Sequence, residues 1–188
     1  MLSMLRQAAL CLFAFTVLTG AIYPLAVTGL VQGLFPHQAN GSLILQDGKI
    51  VGSELIGQTF ASDRYFWSRP SATSPIPCNA SASTGSNLGP TNPKLLESVK
   101  ARADRLRAGA SLPVPVDLIT ASGSGLDPHV SPAAALFQIH RVAQARGLRE
   151  VAVRGLVLEH LERRQCGILG EPRVNVLLLN LALDETGP

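Results

Sequence analysis

Apolar and polar positions recur in different ways along the chain, and each pattern predicts a different element. From Ala8 to Val31 no residue is charged, and the stretch reads AALCLFAFTVLTGAIYPLAVTGLV. As a helix it would be about 36 Å long at ~1.5 Å per residue, enough to cross a hydrocarbon core of about 30 Å with some tilt. The competing reading is a cleaved signal peptide with Arg6 in its n-region. Such a peptide has an apolar core of about 7–15 residues before a small-residue cleavage site. Here the run is longer and no A-x-A site interrupts it, so we read an uncleaved single span. Pro24 is expected to kink it, which membrane helices tolerate where neighbours satisfy the freed backbone groups.

Beyond the span the pattern shortens. Residues 32–42 (QGLFPHQANGS) are turn-rich and read as an exit linker. Leu43–Gln46, Asp47-Gly48 and Lys49–Val51 predict a β-hairpin, because Asp-Gly supplies the positive φ of a type I′ turn. Residues 68–93 are dense in Ser, Pro, Asn and Gly and predict a long ordered loop, of the kind that is functional or tightly packed. Asn92-Pro93 opens a helix as N-cap and first helical residue. Leu95, Leu96, Val99, Ala103 and Leu106 recur along it at helical spacing, and Gly109 is the expected stop. Pro113–Thr120 reads as a short extended segment. Ser131-Pro132 opens a second helix with Leu136, Ile139, Val142 and Ala143 on its apolar face and Gly147 as its end. A third helix is expected over about 149–164, carrying Val153, Leu156, Val157 and Leu161. The apolar run from Val174 to Leu183 suits a strand covered on both sides. The fold class is therefore α+β: a single N-terminal transmembrane helix, then one compact mixed α/β extracytoplasmic domain. The expected division is 1–7 as a short cytoplasmic N-terminus, 8–31 as the transmembrane helix and 32–188 as the soluble domain.

Composition narrows the function classes. Of 188 residues 46% are hydrophobic and only 15% charged, against about 25% charge in a typical soluble domain. A disordered tail, a coiled coil or a highly charged nucleic-acid binder is excluded as a description of the whole chain. The net charge of +3 does not point to nucleic acid. Arg6 precedes the span and the next Lys or Arg is Lys49, so the N-terminus is expected in the cytoplasm and residues 32–188 outside. An oxidising exterior would permit a disulfide between Cys78 and Cys166, although nothing in the sequence shows that they meet. No C-x-x-C is present.

The densest candidate chemistry is SGSGLDPHVSP, residues 122–132. Ser122, Ser124, Asp127 and His129 are the residue types of a hydrolase triad, but a triad needs groups converging from separate parts of a fold. The G-x-S-x-G elbow is also missing. A phosphate cradle over Ser122, Gly123, Ser124 and Gly125 is a second option, since glycine lets backbone N–H groups approach an anion. G-x-G-x-x-G fails at Pro128, and no G-K-[ST] follows. The favoured reading is a tight turn that caps the following helix, with Asp127 and Ser131 bonding to backbone. His37, His129, His140 and His160 show no H-E-x-x-H or paired ligand spacing, which speaks against a metal site. Arg69 and Arg173 each adjoin a proline and are candidate carboxylate clamps or partner contacts.

Taken together the motifs resemble the C subunits of the bacterial Kdp potassium-transporting ATPases. The matching segments are the span with Gly20 and Tyr23-Pro24, GSELIGQTF (52–60), YFWSRPSA (65–72) and SASTGSNLGPTNP (81–93). They continue with PVDLITASGSGLDPHVSPAAA (115–135), RVAQARGL (141–148) and EPRVNVLLLNLALD (171–184). On those segments the resemblance marks Gly20, Tyr23, Pro24, Gly29, Arg69, Pro70, Ser71, Gly85, Ser86, Asn87, Asp127, Pro128, His129, Ser131, Pro132, Arg173 and Asn175 as partner-contact or structural positions. It departs at Cys78, where the family more often has an aromatic before Asn79. Cys166 is likewise outside the family pattern.

The resemblance implies a complex in the bacterial inner membrane. Its partners would be a channel-like A subunit, a P-type ATPase B subunit, a small F subunit and membrane lipid. The C subunit would be an accessory without a catalytic centre or a cofactor of its own, with ATP bound by the B subunit. It would assemble and stabilise the A and B subunits and, as a catalytic chaperone, raise the ATP affinity of B. That last role fits poorly with a domain outside the cytoplasm. The alternatives from the residues themselves are a membrane-anchored periplasmic hydrolase using Ser124 and His129, and a cytoplasmic nucleotide-affinity module in the reverse orientation.

Overall fold

The computed structural model describes residues 1–107 and 113–187. They form two compact units, residues 1–43 and 44–188. The fold class is α+β, with one apolar N-terminal helix followed by a mixed α/β domain.

The first unit is a long helix and a short one. Helix α1 (Leu2–Val17) runs through a π-helical turn (Leu18–Ile22) into α2 (Tyr23–Leu34). The π turn sits just before Pro24. A proline has no N–H to donate and its ring crowds the carbonyl four residues back, and a π turn is one way of relieving that crowding within a continuous helix. Tyr23 accordingly donates five residues back, to Leu18. Over Leu2–Leu34 the helix is long and apolar enough to cross a membrane, and none of its residues is buried. After the single turn α3 (Pro36–Ala39), Asn40 and Gln32 exchange side-chain hydrogen bonds of 3.2 and 3.3 Å.

The hairpin follows as expected. Strand β1 (Leu43–Gln46) pairs with β2 (Lys49–Ser53), and Asp47 and Gly48 carry φ of 52° and 73°, the two positive values a type I′ turn needs. No helix or strand occurs between Ser53 and Pro93. Helix α4 (Pro93–Arg107) is capped by Asn92, whose Oδ1 accepts from Lys94 N–H at 3.0 Å. Its expected stop, Gly109, lies outside the described residues.

Three expectations are corrected by the tertiary structure. Pro113–Thr120 is not extended: Val116–Ile119 forms a one-turn helix, α5, that buries Leu118. The third helix, α7 (Glu150–Glu159), stops short of residue 164, and Leu161–Glu162 becomes strand β4 instead. The C-terminal run is mostly helix: β5 covers only Arg173–Asn175, and α8 takes Val176–Glu185. A continuously apolar run satisfies helical and strand periods alike. Here Asn175 breaks the tie, because its Oδ1 accepts from the N–H groups of Leu177 and Leu178 at 3.1 and 3.2 Å and starts the helix.

Helix α6 (Pro132–Arg146) matches its prediction at both ends. Ser131 Oγ accepts from Ala134 N–H at 3.1 Å, and Gly147 closes the helix with φ 68°. Strand β3 (His129–Val130) completes an antiparallel sheet in the order β3-β5-β4, pairing His129 with Asn175 and Leu161 with Val174. Helices α6, α7 and α8 pack a core on this small sheet in which Phe66, Val142, Val153, Val174, Leu179 and Leu183 are fully buried.

Candidate functional site

The predicted motif residues of the second unit converge, and the irregular segment 54–92 is what gathers them. Phe66 and Trp67 are held as if in a sheet, although no strand pairs with them. The buried Asn180 amide takes Phe66 N–H at 2.9 Å and gives to Phe66 C=O at 3.0 Å. The buried Gln138 amide does the same for Trp67, at 2.8 and 3.1 Å. Each carboxamide offers a donor and an acceptor side by side, which is what a neighbouring strand would present. Arg141 adds a 2.6 Å bond to the Gln138 oxygen and stacks on the Trp67 ring at 3.9 Å.

With this segment fixed, its neighbours dock on the Ser122–Pro132 loop. Pro70 C=O accepts from Ser122 N–H at 3.0 Å, and Ser71 Oγ donates to Gly125 C=O at 2.8 Å. Ser71 Oγ also accepts from Cys78 N–H at 3.0 Å. Ser83 Oγ donates to Ser124 C=O at 2.9 Å, and a Cβ on Gly85 would sit 2.8 Å from Gly123 C=O. Gly85 and Gly125 are therefore close-approach positions between two loops. Ser124 Oγ accepts from Leu126 N–H at 3.1 Å. Ser86 and Asn87 lie on the exposed rim, Asn87 with φ 51°.

A line of basic and acidic side chains runs across the same face. Arg69 Nη1 donates to Asp127 Oδ2 at 3.1 Å, and Asp127 Oδ1 accepts from His129 N–H at 3.0 Å. His129 lies 3.7 Å from Asp127 on one side and 3.7 Å from Glu162 on the other. Glu162 in turn accepts from Arg173 Nε at 2.8 Å. Burial alone would raise the Asp127 carboxyl, but hydrogen bonds from His129 and Arg69 outweigh it and hold it below its ordinary value. Asp127, His129, Arg69 and Arg173 were each legible as candidates. Glu162, the link between two of them, was not, because it sat inside a stretch that reads as helix.

The remaining candidates have structural partners. Pro128 C=O accepts from Val176 N–H at 2.9 Å, and Asn175 Nδ2 donates to Glu54 C=O at 2.8 Å. Ser131 is gripped by Asp117, which accepts from its N–H at 2.7 Å and from its hydroxyl at 3.1 Å. Pro132 is the first residue of α6. Gly20, Tyr23, Pro24 and Gly29 are all exposed on the N-terminal helix. Cys78 and Cys166 are both free thiols. Sequence reasoning passed over Asp117, Gln138 and Asn180. A signal existed for the last two: each is an amide on an otherwise apolar helix face, a position that demands a partner once buried.

The family model KdpC, described as the K+-transporting ATPase c chain, matches residues 5–185. The potassium-transporting ATPase KdpC subunit of Sorangium cellulosum is 62% identical over 187 residues, covering 98% of both chains. That of Methylococcus capsulatus is 60% identical over 187 residues, again covering 98% of both. That of Polaromonas naphthalenivorans is 61% identical over 191 residues, covering 100% of this chain and 97% of its own.

Proposed function

The chain belongs to the KdpC family of K+-transporting ATPase subunits, and from that premise we propose that it is an accessory, non-catalytic subunit holding the channel-like A subunit and the P-type ATPase B subunit together in the inner membrane. The observation that carries this reading is the Leu2–Leu34 helix, apolar throughout its middle and with no residue buried by the chain itself. Such a surface has to be covered by lipid or by spans of other subunits, and small residues let membrane helices approach closely. A Cβ at Gly20 or Gly29 would meet nothing within 4 Å, so a larger side chain there leaves the chain's own packing intact. Gly20→Leu and Gly29→Leu are expected to cut co-purification of the A and B subunits several-fold while the chain stays in carbonate-washed membranes. Full recovery of the intact complex with both variants would sink the packed-helix interface.

The domain lies outside the cytoplasm in this reading, because Arg6 is the only Lys or Arg on either flank of the span before Lys49. A phosphatase that works only in the periplasm, fused to the C-terminus, is expected to be active. A silent phosphatase beside an active cytoplasmic reporter would reverse the orientation. With ATP on the other side of the membrane, any rise in the ATP affinity of the B subunit is an effect of assembly. Two observations favour this over a periplasmic hydrolase: Ser124 Oγ accepts from Leu126 N–H, and the His129 ring lies between Asp127 and Glu162, 3.7 Å from each. Among the described residues no hydrogen bond joins Ser124 to His129.

A further inference from the structure

Beside the charged line, the 59–71 segment and helix α4 enclose a cleft of about 310 Å³ whose walls include Phe60, Trp67 and Leu118. Three arginines, Arg69, Arg102 and Arg105, line it, and none of its lining residues is acidic. Arg69 spends Nη1 on Asp127, while its Nε is buried without a hydrogen-bond partner. Arg102 donates to Ile119 C=O at 3.0 Å, a neutral partner that leaves its charge uncompensated. Arg105 stacks on the Trp67 ring at 4.5 Å, and among the described residues neither it nor Arg102 has a carboxylate partner. Arg141 crowds the same ring. Burial chiefly pushes Arg141 down to about 10, with Asp63 opposing the shift and Arg105 adding to it.

Three guanidiniums face one concavity with one carboxylate among them, Arg69 and Arg102 half-buried and Arg105 at the exposed rim, and a shared anion would relieve their mutual repulsion. Guanidinium forks match phosphate and carboxylate oxygens in pairs. The volume is at the low end for ligand pockets, about 300–1,000 Å³, so the anion has to be small. The apolar and aromatic walls lower the local dielectric, which strengthens each contact. We infer that this cleft binds a small oxyanion, a solute carrying a phosphate or carboxylate group, held by Arg69, Arg102 and Arg105 against the Trp67 wall. This site is separate from the Ser122–Gly125 loop and does not depend on the assembly role.

Trp67 is the sole tryptophan of the chain, so its emission reports on the cleft directly. The full chain in detergent micelles would be titrated with inorganic phosphate and, separately, with succinate, at ionic strength held constant with chloride. Calorimetry on the same samples gives a reading that does not depend on the ring. A saturable response to phosphate alone assigns the phosphate class, and one to succinate alone assigns the carboxylate class. Arg105→Gln is expected to weaken binding about tenfold or more, as the loss of a charged hydrogen-bond donor does. Arg105→Lys should recover part of the loss. Arg107→Gln, exposed on the same helix and outside the cleft, should bind like the wild type. No saturable response to either anion by both methods, or Arg105→Gln binding like the wild type, would overturn the site.

Discussion

Gly125→Ala is expected to cost the domain about 2–4 kcal/mol, the sum of a left-handed backbone forced on an L-residue and an overpacked contact. Gly125 has φ 69°, and an added Cβ would lie 2.5 Å from Thr73 Cγ2 and 2.6 Å from Thr84 C=O. Neither neighbour can withdraw cheaply. Thr73 Oγ1 donates to Ile76 C=O at 2.8 Å and accepts from Asn79 N–H at 3.0 Å, so moving it unpicks the 73–79 turn. Thr84 presents backbone. Gly123→Ala, two residues away, is the internal control: nothing lies within 4 Å and its φ is ordinary, so its denaturation midpoint should match the wild type. Equal midpoints for Gly125→Ala and wild type in urea would show that the two loops do not pack as described.

Asn180→Leu is expected to lower the melting temperature by on the order of 10 °C, corresponding to about 3 kcal/mol. The side chain is 1% exposed and carries both backbone groups of Phe66, which is itself fully buried. Leucine keeps the branching and the number of side-chain heavy atoms, is bulkier, and leaves a buried N–H and a buried C=O unpaired. An unmade buried bond costs more than a made one contributes. The variant should also move the emission of Trp67 to longer wavelength, because its neighbour Phe66 is one of the two anchors of the segment. Gln138→Leu should do the same through the other anchor. A melting temperature within a degree or two of wild type for Asn180→Leu would rule out the amide as the clamp.

These two predictions stand on different kinds of information. The Asp47-Gly48 turn, the Asn92 and Ser131 caps and the Gly147 stop were legible in the sequence, since each depends on groups within four or so residues of one another, and the uncharged 24-residue run was legible as one contiguous stretch. Membership of the family was legible too, in long motifs spread along the chain. Where a residue was singled out, its use was not legible. Ser71, Gly85 and Gly125 stood in matching motifs, but that they form one interlocked contact depends on two loops meeting.

Chain closure decided the rest. The Val174–Leu183 run carries apolar residues at both helical and strand spacing, so periodicity could not separate the two; Asn175 both pairs with His129 as the last residue of β5 and caps the helix that follows. Leu161 and Glu162 continue a helical pattern, yet they pair with Val174 and Arg173 on the edge of β5 opposite β3. Asn180 reaches Phe66 across 114 positions and Gln138 reaches Trp67 across 71. Those pairings arise because a buried backbone N–H or C=O has to find a partner, and in a segment with no neighbouring strand the nearest donor and acceptor are side-chain amides on helices far along the chain. Local chemistry determined where this chain turns and caps, and an uncharged run marked the helix that is apolar enough to cross a membrane. Which distant groups satisfy its buried segment, and hence where the arginines gather, was decided by packing alone.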